Sequence, residues 1–248
     1  MNTQHANTIT ENDVEEQEAG ARTSSAKKSY LAIVTALVLL YILWGTTYLG
    51  MREALHSFPP FLLAGIRALV AGILLFAILR ARGAAMPTRK EWLGAAIVGV
   101  LLLVGGNAQV NVAEQWVSSG LAAVAIGAVP LWTALFAGLF GRWPNRFEWC
   151  GLALGFAGLI LLNAGHGMTA TNPLGIIVLL LAPICWSFGS IVSQRVSQPK
   201  GLMAPAVQLL CGGIILIPLG LATGERITAV PTAASIGWMV FLIVGGSM

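Results

Sequence analysis

The sequence predicts an all-α protein that crosses a membrane several times, and three observations carry this prediction. Hydrophobic residues make up 56% of the 248 residues and charged residues only 10%, whereas soluble domains carry about a quarter charged residues. The mean hydropathy is +0.80. Several apolar runs also reach the roughly 20 residues that a helix needs to span a bilayer. The 29 glycines suit the close helix contacts that form within membranes.

Eight apolar runs are predicted as membrane-spanning helices, which we name span 1 to span 8 in chain order. Proline, glycine and charged clusters separate them. The runs are Tyr30–Gly50, Phe61–Leu79, Trp92–Val112, Gly120–Phe140, Phe147–Ala164, Pro173–Ser193, Leu202–Ala222, and Ala233 to the end of the chain. Span 8 is still apolar at Met248, so we expect the chain to be truncated within its eighth helix.

Residues 1–29 lack apolar periodicity and hold five of the ten acidic residues. This composition predicts a disordered tail. We expect the first apolar run to stay in the mature protein as span 1, because a small-residue cleavage site is not evident in it.

The distribution of Lys and Arg predicts which side of the membrane each loop faces. Short cytoplasmic loops are enriched in both residues. With the N-terminus in the cytoplasm, the inner segments hold eleven of them and the outer loops hold only Arg52 and Arg226. The inner residues are Arg22, Lys27, Lys28, Arg80, Arg82, Arg89, Lys90, Arg142, Arg146, Arg195 and Lys200. We therefore predict a cytoplasmic tail and a multi-pass protein of the inner membrane.

Three similarities at nearly one spacing predict an internal repeat. Trp44 of span 1 matches Trp186 of span 6. Arg67 precedes a Gly-Ile-Leu run just as Gln208 precedes Gly-Ile-Ile, and a Val-Gly-Gly run of span 3 recurs in span 8. Each match spans about 140 residues, as expected for two copies of one unit. Five spans, an odd number, separate the copies, so the copies are inverted in the membrane.

The repeat predicts the domain organisation of the whole chain. Residues 30–164 form a first repeat of five spans, and residues 173–248 form a second repeat that holds three. By this comparison the intact protein has ten helices, with about 56 residues beyond Met248.

Several motifs also resemble a known family. They are Tyr41 to Tyr48 (YILWGTTY), Pro59-Pro60-Phe61, Gly65-Ile66-Arg67, Gly106-Asn107, Val112-Ala113-Glu114, Ser119 to Ala123 (SGLAA) and Val129 to Thr133 (VPLWT). In this order they resemble EamA-type members of the drug/metabolite transporter superfamily. The resemblance covers residues 30–248. It implies ten helices in an inverted 5+5 repeat, a central cavity, and export of small metabolites or drugs.

A polar stripe on span 3 is the first candidate for a binding site. Asn107, Asn111 and Glu114 stand at positions i, i+4 and i+7, so they share one helix face. Such a stripe is costly in lipid and should face protein or a water-filled cavity. In the alternative interpretation the asparagines only bond neighbouring helices, while Glu114 reaches headgroup water.

Glu114 is also the candidate for proton coupling. Partial burial disfavours the charged form of a carboxyl group and raises its pKa. A pair with Arg67 would oppose that shift, because a nearby cation stabilises the carboxylate.

Further cavity candidates lie on the other spans. Aromatic side chains with polar tips suit a cavity for amphipathic solutes; packing or an interfacial belt would be the simpler explanation. Arg67 is either a cavity cation or a side chain that extends to the outer interface. The candidates are Trp44, Thr47 and Tyr48 on span 1, Arg67 on span 2, Trp186 and Ser190 on span 6, and Gln208 on span 7. Gly151, Gly155 and Gly158 are predicted to pack span 5 closely.

Together these features favour a secondary active transporter that exports a small organic solute by alternating access, with protons as a candidate coupling ion. A membrane enzyme and a non-transporting channel or subunit are the alternatives. The sequence lacks H-E-x-x-H, G-x-S-x-G and Walker motifs, so we predict neither an enzyme nor a cofactor or metal site. The partners expected are the solute and the lipid bilayer, and not nucleic acid. Amino acids, nucleosides and cationic drugs are all candidate solutes, and the oligomeric state stays open.

Overall fold

The computed structural model describes residues 11–163 and 171–247. The predictions for residues 1–10, for the end of span 5 at Ala164, for the loop at 166–170 and for Met248 therefore lie outside the described residues. The described helices are α1 (Glu11–Ala54), α2 (Pro60–Ala81), α3 (Arg89–Gly99), a π-helix (Val100–Asn107), α4 (Ala108–Ala113), α5 (Ser119–Ile126), α6 (Val129–Leu139), α7 (Arg146–Asn163), α8 (Pro173–Ser193), α9 (Met203–Ala222) and α10 (Ala233–Val244).

Six helical segments among the described residues are long and apolar enough to cross a membrane, and they correspond to six of the eight predicted spans. They are Ala32–Ala54, Pro60–Ala81, Arg89–Ala113, Ser119–Leu139, Pro173–Ser193 and Met203–Ala222. Span 6, Pro173–Ser193, has the bounds predicted for it. Span 7 begins at Met203, one residue later than predicted. Span 5 corresponds to α7, and span 8 to the shorter apolar helix α10.

The chain divides into two units, Met1–Gly45 and Thr46–Met248. In the first unit the described residues form helix α1 from Glu11 onward, so residues 11–29, which composition predicts as disordered, are helical in the structure. Ala, Glu and Lys have high helix propensity. All contacts described below lie in the second unit.

Two predicted spans are interrupted. Span 3 consists of α3, the π-helix and α4 in succession. Its start is fixed by a capping box, because the Thr88 side chain accepts from the Glu91 amide and the Glu91 side chain accepts from Thr88. Span 4 is divided into α5 and α6 at Gly127 and Ala128, just before Pro130 at the start of α6. A proline lacks the N–H that would continue α5, and its ring favours the first turn of a new helix.

Helices α2 and α9 cross closely at two glycines that the repeat relates to each other. A Cβ atom on Gly72 would lie 2.7 Å from the amide nitrogen of Leu210, and one on Gly213 would lie 2.6 Å from that of Leu69. The repeat spacing that relates Arg67 to Gln208 also relates Gly72 to Gly213 and Leu69 to Leu210. The two contacts are therefore the same contact made in both directions, as an inverted repeat requires.

A second pair of contacts extends this symmetry to other helices. A Cβ on Gly106, the penultimate residue of the π-helix, would lie 3.3 Å from the ring of Trp186 in α8. One on Gly246, which belongs to the second copy of the Val-Gly-Gly run, would lie 3.4 Å from Oγ1 of Thr47 in α1. Span 3 of the first repeat therefore packs on span 6, and the chain after α10 packs on the end of span 1. The inverted repeat is visible in these helices.

The loops gather at two ends of the second unit. Loops 55–59, 114–118 and 223–232 lie at one end, because all three line a single cavity. We call this end the predicted outer end, after the Lys and Arg distribution. The end with loops 82–88, 140–145 and 194–202 is the predicted inner end. There the guanidinium of Arg195 lies 3.8 Å from the ring centre of Phe140, and the Ser197 carbonyl packs against Gly94. From loop 55–59 to loop 140–145, successive loops alternate between the two ends.

Helix α7 differs from the prediction for span 5. A Cβ atom at Gly151, Gly155 or Gly158 would meet nothing within 4 Å among the described residues. The close packing predicted for this glycine face is thus absent from the described part of the chain. Leu154 and Leu161 on α7 are each 77% exposed. Exposed apolar surface of this kind suits lipid rather than water.

Candidate functional site

The polar stripe of span 3 lies where the helix changes from π to α geometry. Asn107 is the last residue of the π-helix, Asn111 lies in α4, and Glu114 follows α4 directly. The π-helix leaves the ordinary i→i−4 bonding pattern, a feature that is frequent at functional sites. The α-helix begins at Ala108, and Asn107 already has α-helical backbone angles, so the three polar residues lie along one face.

Arg67 reaches this stripe from α2. Its Nη2 donates to Oδ1 of Asn107 over 2.6 Å. The side chain is only 3% exposed, so it lies inside the protein and does not extend to the outer interface. Its Nε and Nη1 are also buried, and neither has a hydrogen-bond partner among the described residues. The structure thus places a buried cation with unused donors against the stripe.

Asn111 ties the stripe to the first turn of α2. Its Nδ2 donates to the carbonyl oxygen of Pro60 over 3.2 Å, and the residue is fully buried. Its Oδ1 has no partner within the described residues. One side of this amide therefore holds the helices together, and the other side presents a buried acceptor.

Glu114 lies just beyond the span Arg89–Ala113, and both of its carboxyl oxygens are buried. Neither oxygen is hydrogen-bonded in the described part of the chain. Burial raises the pKa of Glu114 to about 8, against an opposing effect of the Arg52 charge. The carboxylate also interacts electrostatically with Tyr48. Glu114 is therefore a buried acid beside Arg52 and Tyr48, and not the bonded partner of Arg67.

A cavity of about 740 Å³ opens above the stripe at the predicted outer end. Pro60 and Phe61 of α2 and Val112 of α4 belong to its lining. Neither Arg67 nor Glu114 lines it. Pro60 therefore contacts both the polar stripe, through its bond with Asn111, and the cavity that it lines.

Glu225, in the loop after α9, fixes that first turn of α2. Its Oε1 accepts from the Phe61 amide over 3.1 Å, and its Oε2 accepts from the Leu62 amide over 2.9 Å. Pro59, the N-cap residue of α2, supplies no side-chain bond. A carboxylate at the positive end of a helix dipole is stabilising. Glu225 thus caps a helix that lies 164 residues earlier in the sequence.

Gln208 and Ser190 are bonded elsewhere than at the Arg67–Asn107 pair. Gln208 donates to Gln198 at the predicted inner end, and the Ser190 hydroxyl donates within α8 to the Trp186 carbonyl. The Trp186 ring packs beside Gly106, next to Asn107. Thr47 lies near Gly246. Trp44 lies in the first unit and is 56% exposed.

Comparison with known proteins identifies the family of this chain. Residues 31–164, more than half of the 248, match the model of the EamA-like transporter family. Over 222 residues the chain is 43% identical to the uncharacterized inner membrane transporter YedA of Escherichia coli (strain K12), and the match covers 89% of this chain and 72% of that protein. This chain belongs to the EamA-like transporter family. It is a multi-pass protein of the inner membrane.

More distant relatives of this EamA-family chain cover similar lengths. The uncharacterized transporter YvbV of Bacillus subtilis (strain 168) is 26% identical over 234 residues, 86% of this chain and 75% of that protein. A protein of known crystal structure superimposes with a TM-score of 0.67 at 22% identity, over 85% of this chain and 73% of its own. That likeness supports the all-helical EamA fold.

Two features of this EamA-family site do not follow from the sequence. Glu225 lies in a loop, and a loop residue carries no periodicity that indicates its contact. The π-helix is equally hidden, because its residues are as apolar as those of an α-helix. The adjacent glycines Gly105 and Gly106 are the one sequence feature that indicates a close helix contact here, since both lie against α8.

Proposed function

We propose that this chain exports a small organic solute across the inner membrane by alternating access, with Arg67, Asn107, Asn111 and Glu114 as its solute and coupling site. The buried and unused hydrogen-bonding groups of this cluster carry the proposal. Polar and ionisable groups inside a membrane are costly and usually mark a substrate or ion pathway. Packing alone does not explain why Arg67, Asn111 and Glu114 keep buried donors or acceptors without partners among the described residues.

The position of the cluster supports alternation between two states. Here the first turn of α2 contacts the cluster through Asn111, lines the cavity at the predicted outer end, and is held by Glu225. In the proposed cycle, that turn moves when the solute is released outward. Movement of one repeat against the other around a central site is the usual way in which inverted-repeat transporters alternate.

Glu114 is the proposed proton carrier. A carboxyl group with a pKa of about 8 is mostly protonated at pH 7 and ionises as the pH rises through 8. Two groups act on its charge: Arg52 favours the carboxylate, and Tyr48 lies within its electrostatic reach. A proton taken up at the predicted outer end could then be exchanged for solute that leaves the cluster.

The test uses the full-length protein in proteoliposomes, with a panel of amino acids, nucleosides and cationic drugs. We expect wild type to drive uphill efflux of at least one class and to lose that activity as the outer pH rises through about 8. Glu114→Gln should abolish uphill transport while it keeps solute exchange. Glu148→Gln, in an exposed acid at the start of α7, is the matched control and should behave as wild type. A Glu114→Gln protein with unchanged uphill efflux and pH profile would exclude Glu114 as the coupling acid.

We propose in addition that the N-terminus is cytoplasmic, on the basis of the Lys and Arg distribution. In a background without Cys150, Cys185 and Cys211, single cysteines would replace Asn145, Pro199 or Thr228. An impermeant thiol reagent added to whole cells with a permeable outer membrane should label position 228 alone. Labelling of positions 145 and 199 instead would reverse the orientation.

A further inference from the structure

We infer that Arg67 binds an oxyanion group of the solute, so that the transported compounds carry a carboxylate or a phosphate. This inference rests on the proposed function, and it adds the charge class of the substrate. It begins from the hydrogen-bonding state of one guanidinium. That group is 3% exposed and makes one described hydrogen bond, to the neutral side chain of Asn107.

A buried cation without a counter-ion is unfavourable, and buried charges in proteins are normally paired. Among the described residues, Nε and Nη1 of Arg67 have no acceptor at all. Glu114, the acid on the same stripe, lies seven residues beyond Asn107, or about 10 Å along an α-helix. Its charge acts on Arg52 and Tyr48 instead. The protein therefore supplies no carboxylate to Arg67 from the part that the structure describes.

The geometry of the guanidinium fits an oxyanion. Arginine has five N–H donors in a planar fork, which matches the two oxygens of a carboxylate or phosphate. Asn107 uses one of the two Nη2 hydrogens. The other Nη2 hydrogen, together with Nε or with Nη1, can still bind two oxygens side by side. By holding Nη2, Asn107 orients the guanidinium and leaves the donors for the ligand.

The location of Arg67 agrees with an occluded solute site. Arg67 lies seven residues, about 10 Å, beyond Pro60 at the start of α2. Pro60 lines the cavity at the predicted outer end, and Asn111 bonds its carbonyl. An anion at Arg67 would thus be buried and would lie outside the lining of that cavity, about 10 Å along α2 from Pro60.

The inference is tested first by binding, which does not depend on transport. Purified full-length protein in detergent would be titrated with benzoate, lactate and glycerol 3-phosphate, and with the uncharged analogues benzamide, lactamide and glycerol. We expect at least one anion to raise the melting temperature of wild type in a saturable way, while its uncharged analogue does not. The carboxylate and phosphate arms distinguish the two sources of the oxyanion. Arg67→Gln should weaken this binding at least tenfold, and Arg67→Lys should restore part of it.

Efflux of the same paired solutes from proteoliposomes then separates the two proposals. Anion binding without uphill efflux of any solute would overturn the proposed function and leave the anion site standing. Efflux of only neutral or cationic solutes, with Arg67→Gln equal to wild type, would overturn the anion site and leave export standing. Because Arg67→Gln could fail to fold, Asn107→Ala provides a second variant, in which the guanidinium remains but loses its orienting bond. It should weaken anion binding several-fold, and unchanged binding would contradict the role given to Asn107.

Discussion

The two ends of the α2–α9 pair are fastened differently, although the repeat relates one helix to the other. At the predicted outer end, the carboxylate of Glu225 after α9 accepts from the amides of Phe61 and Leu62 at the start of α2. The equivalent position after α2 is Ala84. It packs on an apolar cluster that contains Met203 at the start of α9.

The comparison shows that one backbone arrangement accepts two kinds of contact. Charge-assisted hydrogen bonds at the predicted outer end are directional, so a small rotation of α2 breaks them. The apolar contact at the predicted inner end has no preferred direction and tolerates sliding. The repeat thus has the same helices at both ends but different contacts. We call the Glu225 hydrogen bonds at the predicted outer end the latch.

The largest effect is expected where α2 and α9 cross, at Gly72 and Gly213, between the two ends. In Gly213→Ala the new Cβ would lie 2.6 Å from the backbone nitrogen and 2.8 Å from the Cα of Leu69, so a helix must move. Overpacking of this kind costs about 1–3 kcal/mol, which corresponds to a loss of about 3–9 °C in Tm. Thermal unfolding in detergent measures it. Gly237→Ala, with open space around the new atom, is the control and should leave Tm unchanged or higher. Equal Tm values for the two variants would disprove the tight crossing.

The next effect concerns the latch. Glu225→Ala leaves two amides of α2 without acceptors, and loss of a helix cap costs about 1–2 kcal/mol, or about 3–6 °C in Tm. Glu225→Gln keeps one acceptor without the charge and should lose about half as much. The control is Glu148→Ala, which removes an exposed carboxylate whose described hydrogen bond is local, from the Asn145 amide. Hydrogen exchange of the peptide that contains Phe61 and Leu62 should speed up in Glu225→Ala alone. Unchanged exchange there would show that Glu225 does not hold α2.

The smallest effect is expected when a latch is added to the other end. Ala84→Glu places a carboxylate where the repeat predicts that it can meet the first amides of α9, whose N-cap residue Leu202 supplies no side-chain bond of its own. An acid at a helix N-terminus is worth about 0.3–1 kcal/mol, or about 1–3 °C in Tm. Ala85→Glu adds the same charge one residue away and should have no such effect. If both variants behave alike, the two ends are not equivalent in geometry.

Much of the helical framework follows from composition, because lipid imposes length and apolarity on every span. The run Pro173–Ser193 predicts α8 without error, and the match between Arg67 and Gln208 relates α2 to α9 as equivalent helices. The breaks within the spans are harder to predict from the sequence. Pro130 indicates a bend, but only the structure locates the break at Gly127 and Ala128.

Side-chain partners in the candidate site are harder to derive. Spacing predicts that Asn107, Asn111 and Glu114 share a face, but it does not say which of them Arg67 meets. The sequence allows an Arg67–Glu114 pair, and the structure instead joins Arg67 to Asn107. Helical spacing identifies neighbours within one helix, whereas the depth at which two helices cross decides contacts between them. For the same reason, a face of small residues such as that of Gly151 shows that another helix has room to approach, but it does not show that one packs there.

The Glu225 cap also has a consequence for how the chain is synthesised. Residue 225 leaves the ribosome 164 residues after Phe61, which at about 5–20 residues per second is a delay of about 8–33 s. During that interval α2 is in or near the membrane with the amides of its first turn uncapped. The cap of α2 therefore forms only after α9 and Glu225 have been synthesised, so the second repeat completes the hydrogen bonding of the first.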